Sequence, residues 1–131
     1  MRNLAKSFIA GEDLQESIPV KITDGKVYKV TATTDAVIGV TDTAVKSGKA
    51  VDIIVNGIAF VQVDGAANAG DVLVAKSNGK AQKLTLDLFT DNETDTIVHA
   101  IGKLLEGDTA GAYLPAVIIP TTVVVPKQKT A

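Results

Sequence analysis

His99 is the only imidazole in a chain of 131 residues that contains no cysteine and no tryptophan. Imidazole exchanges protons near neutral pH, so His99 is the residue best suited to general-base work. No nucleophile motif accompanies it, which favours a structural or surface histidine. Asp91-Asn92-Glu93-Thr94-Asp95 spaces oxygen-bearing side chains as calcium loops do, but it lacks the glycine and the downstream bidentate glutamate of an EF-hand and is expected to be a solvated loop. Gly65 and Gly70 lie among alanines without the glycine order or following helix of a phosphate-binding fingerprint, so they are expected to be turn residues. The sequence therefore predicts no catalytic residues, no cofactor and no metal site. It predicts a protein that is not an enzyme and works by shape and contact.

Composition points the same way. The length suits one domain able to bury a core without disulfides. Hydrophobic residues make up 46% of the chain but aromatics only 4%, so the core must be built from Val, Ile, Leu and Ala, residues that suit strands. A net charge of −2 with scattered basic residues argues against nucleic acid or an anionic membrane as a partner. Phe8-Ile9-Ala10 is too short for the apolar core of a signal peptide, and Leu114 to Val125 is broken by Pro115 and Pro120, so neither standard export nor a helical membrane span is expected. A mean hydropathy of +0.24 is high for a soluble monomer of this size, and part of that excess is assigned to a subunit interface.

Turn chemistry divides the chain into short strands. Residues 1–17 are expected to form an N-terminal arm, 18–120 a β-barrel domain and 121–131 a C-terminal tail. Ile18 to Thr23 and Lys26 to Ala32 flank Asp24-Gly25, a tight-hairpin dipeptide, and Ala36 to Thr41 follows as a third strand. Asn56-Gly57 predicts a second hairpin within Ala50 to Val63, pairing Val55 with Ile58 and Ile53 with Phe60 on a core face. The opposite face then carries Ile54, Ala59, Val61 and Val63, apolar enough to be covered by another part of the barrel or by a neighbouring subunit, and these four are the candidate oligomer interface. Asp71 to Ala75 and Ala81 to Leu86 flank Asn78-Gly79, Asp87 to Asp95 is an acidic loop, Thr96 to Leu105 tilts toward strand, and Ala112 to Ile119 closes the fold before Pro120 interrupts it. The fold class predicted is all-β, a small barrel or sandwich.

Two resemblances attach to these residues. Ala69-Gly70-Asp71-Val72-Leu73-Val74, followed by a tip bearing Lys80, is similar to biotinyl and lipoyl carrier domains, which would make Lys80 the modified lysine; Gly79 and Ala81 do not match the flanks of that lysine. A broader pattern runs through Lys21-Ile22-Thr23-Asp24-Gly25-Lys26-Val27, Ile38-Gly39-Val40-Thr41-Asp42, Val51 to Gly57, Ala69 to Leu73, Ala100-Ile101-Gly102-Lys103 and Val117-Ile118-Ile119. It resembles tailed-phage capsid decoration, or cement, proteins. That resemblance implies a homotrimeric β barrel on the exterior of the virion capsid, synthesised in the host cytoplasm, with the major capsid protein as partner. It also implies attachment aided by a terminal arm; the cations Arg2 and Lys6 with the apolar Leu4, Phe8 and Ile9 are the candidate contacts, and an arm that packs on its own barrel or on a neighbouring subunit is the alternative. A β adaptor of bacterial or phage-tail origin is a third possibility.

Overall fold

The structure is a computed structural model that describes residues 3–85, 96–110 and 112–125. Those residues form an all-β fold without a helix, a nine-stranded sheet. Its strands are β1 (Leu4–Ala10), β2 (Pro19–Thr23), β3 (Lys26–Lys29), β4 (Gly39–Thr41), β5 (Ala50–Gln62), β6 (Val72–Ala75), β7 (Ala81–Lys83), β8 (Thr96–Leu104) and β9 (Tyr113–Val125). The expected acidic loop, with its calcium-like Asp91 to Asp95 spacing, lies outside the described residues, as do Arg2 and the end of the tail.

The sheet closes on itself twice. In the first ring β1 pairs with β3, β3 with β2, β2 with β4 and β4 with β5, and β5 returns to β1. In the second, β5 pairs with β9, β9 with β8, β8 with β6 and β6 with β7, and a bridge from Val63 to Ala81 completes the circuit. Closure removes most exposed sheet edge, the main hazard of a small β protein. Each ring holds its own core. Leu14, Ile18, Val20, Val27, Val51 and Ile53 cluster in the first, whereas Val61, Leu73, Ile101, Leu104, Leu114 and Ile118 belong to a cluster centred on the second.

Asp24-Gly25 forms the hairpin its chemistry predicts. Both residues have positive φ, 52° and 78°, and Thr23 pairs with Lys26 across the turn. Asn56-Gly57 does not. β5 runs straight through it for 13 residues, and Gly57 alone of the dipeptide has positive φ, 130°. A tight hairpin needs both central residues in that region. Partners on both edges reward the extended strand instead: Leu4 pairs with Asn56, Gly57 with Ile118, and the Asn3 carboxamide bonds both backbone groups of Ile58, at 2.7 and 2.9 Å. A Cβ on Gly57 would collide with Asn3, so glycine is needed here for close approach rather than for a turn.

Two more expectations are corrected. Leu4–Ala10 is not an arm but the strand that closes the first ring, with six partners on β5. Pro120 does not end β9, which continues to Val125. The register between β8 and β9 shifts between Ala100 and Gly102, so Ile119 and Pro120 stand opposite Ile101 alone, and the missing proline N–H falls in a bulge that has no bond for it to make.

Lys21 and Asp35 brace the outside of the first ring at 3.3 Å. Burial would raise the Asp35 carboxyl, but the Thr31 backbone N–H and the Lys21 ammonium outweigh it and hold the group below the usual carboxylate range. A folded-state value below the unfolded one adds stability above the unfolded carboxylate range, and the contribution disappears as pH falls through the folded value. Asp35→Asn is therefore expected to lower stability by about 1 kcal/mol or less at neutral pH and by nothing at strongly acidic pH. Denaturant melts at both pH values check this; an equal loss at each would remove the ionic contribution.

Candidate functional site

Alternation along β5, β9 and β8 decides which side chains leave the core. Val61 on β5, with Leu114, Ala116 and Ile118 on β9, is buried. Their neighbours face out, and the register places Ile58 beside Val117 and Phe60 beside Pro115. Val117 in turn pairs with Lys103, and the Leu105 N–H donates to the Pro115 carbonyl at 2.9 Å, bringing Leu105 into the same row. Phe60 is 58% exposed and Tyr113 50%; Leu105, Ile119 and Ile58 are exposed as well. Aromatic and branched aliphatic side chains thus cover one outer face of three adjacent strands, and Lys103 is the charge within it. Apolar, aromatic-rich and charge-poor surface is the composition of an interface centre.

That face inverts the sequence-based assignment. Ile54, Val61 and Val63 are buried in the chain's own core, and Ala59 is partly buried against it, so this face is covered by the barrel itself and the candidate oligomer-interface residues do not form an outer surface. Ile58 and Phe60, expected in the core, stand outside. The signal that could have found them is the β5–β9 pairing, since Phe60 is driven out wherever Val61 is driven in.

The capsid-contact candidates fall on β1. Leu4 is 62% exposed, Lys6 and Ile9 are exposed, and Phe8 is partly buried against the first-ring core. All four are held in strand pairing. His99 is half-buried, its backbone N–H donating to the Thr33 carbonyl at 2.9 Å, and it sits opposite Thr122. Among the described residues no cluster of three or more His, Asp or Glu could hold a metal ion.

Lys80 belongs to the loop 76–80, which joins β6 and β7 with Ala75 opposite Ala81. The loop is tied back to the barrel. Asp64 accepts from Lys76 at 3.1 Å and from the Asn78 carboxamide at 2.7 Å, and these bonds, Lys76 foremost, hold the Asp64 carboxyl below its usual range. The Lys29 stem lies against Gly79. Between this tip and the loops at 13–18 and 44–46 runs an open groove of about 740 Å³, lined by Leu14, Glu16, Lys29, Val45, Lys46 and Lys80 among others. Its mixed charges give it no preference for one sign of ligand.

No protein-family model matches the chain, and no curated protein does.

Proposed function

We propose that this chain is a tailed-phage capsid decoration protein, binding the outside of the assembled shell and stabilising it as a homotrimer. The observation that carries the proposal is the apolar face centred on Phe60 and Tyr113, on a doubly closed sheet. Turn glycines and strand spacing from Lys21 to Ile119 add the resemblance to decoration proteins. In this proposal the face around Phe60 joins the protomers, and Leu4, Lys6 and Ile9 meet the major capsid protein from a rigid strand. Weak contacts from each protomer then combine by multivalency, and a preformed strand has less conformational freedom to lose on binding than a mobile arm. The tied-down loop at Lys80 favours contact over carrier chemistry, because a carrier lysine must reach distant active sites.

Two measurements test it. The purified chain should cosediment with undecorated capsids of the phage that encodes it and should appear as protrusions in cryo-electron microscopy of the particle. Failure to bind those capsids would sink the capsid assignment. Separately, Phe60→Asp with Tyr113→Asp should give a folded monomer by circular dichroism and light scattering, with capsid affinity weakened by about a hundredfold or more. A double variant that still assembles as the parent does would place the oligomer contact elsewhere.

A further inference from the structure

The chain contains two Asn-Gly dipeptides, Asn56-Gly57 and Asn78-Gly79, and the fold treats them oppositely. An asparagine followed by glycine is chemically labile because no side chain on the next residue shields its backbone nitrogen. Reaction requires that nitrogen to reach the asparagine Cγ. At Gly57 it cannot without opening the sheet: Asn56 pairs with Leu4, Gly57 pairs with Ile118, and Asn3 lies directly over Gly57. At Gly79 the restraints are turn bonds and side-chain contacts, not a strand ladder. Its N–H donates to the Lys76 carbonyl at 3.0 Å within the same loop, and although Gly79 is buried as Gly57 is, its cover is the flexible stem of Lys29, and the Asn78 carboxamide is held by one side-chain bond to Asp64 at 2.7 Å. Openings confined to a loop cost far less than openings of paired strands.

We propose that Asn78-Gly79 is a self-modification site, at which the folded protein deamidates while Asn56 is protected. The Gly79 amide loses its proton to solvent base, and its nitrogen bonds to Asn78 Cγ. The Cγ–Nδ2 bond breaks, and Nδ2 leaves as ammonia, closing a succinimide. Water opens that ring at either carbonyl, leaving aspartate or isoaspartate at position 78. No redox change occurs, and water is the sole co-reactant.

The consequence is local and permanent. Nδ2 is the donor that clasps Asp64 at 2.7 Å, and its replacement sets a second carboxylate against the first. The Asn78 Oδ1 also accepts from the Lys80 N–H at 3.0 Å, and Lys76 N–H donates to the Lys80 carbonyl at 2.9 Å, a loop register that the extra backbone carbon of isoaspartate cannot keep. Asn78, Gly79 and Lys80 form one rim of the groove, so deamidation reshapes that rim whatever the groove binds.

The test is incubation of the full chain in warm, mildly alkaline buffer, with peptide mapping by mass spectrometry and isoaspartate detection at each site. In the folded protein Asn78 should convert at least about tenfold faster than Asn56, and in urea the two rates should converge. Asn56 converting as fast as Asn78 in the folded state would overturn the proposal, as would an Asn78 that stays intact while the unfolded chain converts at both sites. Asn78→Asp should raise amide hydrogen exchange across residues 76–80 while leaving that of β5 unchanged; unchanged exchange at the loop would refute the clasp.

Discussion

Gly102→Ala is expected to cost about 3 kcal/mol or more, and Gly102→Val to leave little folded protein, since single domains have only about 5–15 kcal/mol in total. Gly102 lies on β8 between Leu73 of β6 and Ile118 of β9, immediately after the bulge. A Cβ built there would overlap the Val117 carbonyl oxygen, a backbone atom rather than the end of a pliable side chain. Val117 cannot move aside, because it is paired with Lys103 on one side and with Ile58 on the other. Gly39 is in the same position against the Ile54 carbonyl, so Gly39→Ala should behave alike. Gly25 supplies the contrast: its added Cβ meets open space, and Gly25→Ala should cost only about 1 kcal/mol, from the positive φ of 78°. Urea denaturation at constant slope measures all three. A Gly102→Ala midpoint near that of Gly25→Ala would show that the bulge yields where the geometry says it is rigid.

What could be read from the sequence was whatever depends on a few adjacent residues. Asp24-Gly25 fixes its own turn, and the β-branched run at Thr96, Ile97 and Val98, which tilts toward strand, opens β8. What could not be read depends on which distant strand arrives. Asn56-Gly57 has the local chemistry of a hairpin, yet the gain from pairing one straight β5 with β1, β4 and β9 exceeds that of folding it back on itself. The same substitution of long-range pairing for local preference turns Leu4–Ala10 from arm into strand and carries β9 past Pro120. It also explains why the apolar face escaped notice. The register between β1 and β5 shifts between Leu4 and Ala5, leaving Val55 without a partner on β1, and beyond that irregularity β5 sends Phe60 outward and Val61 inward. A hairpin reading of the same residues exchanges the two sets, because side chains alternate with a period of two.

Thr41→Val is expected to cost about 2–4 kcal/mol although it changes shape hardly at all. Thr41 is 1% exposed, on β4, the short strand that joins β2 to β5 within the first ring. Its hydroxyl accepts from the Ile18 N–H at 3.1 Å and donates to the Gln15 carbonyl at 2.7 Å. Gln62 grips the same loop from the end of β5: its carboxamide donates to the Glu16 carbonyl at 2.8 Å, and its backbone N–H donates to the Ser17 carbonyl, also at 2.8 Å. Ser17 itself sits at φ 59°, a conformation that a non-glycine residue keeps only where surrounding bonds impose it. The segment from Gln15 to Ile18 is therefore held between the rings by buried polar groups that leave no buried side-chain atom unsatisfied among the described residues. Valine fills the volume of threonine but strands the buried Ile18 donor, at about 1–3 kcal/mol, and takes the partner from the Gln15 carbonyl, which is only partly buried and costs about 1 kcal/mol. Thr41→Ser retains the hydroxyl and loses only a methyl, so it should cost about 1 kcal/mol, and the difference between the two variants isolates the hydrogen bonds from the packing. Equal losses for valine and serine in denaturant melts would show that the loop is held by its apolar neighbours, Leu14 and Ile18, and not by this junction.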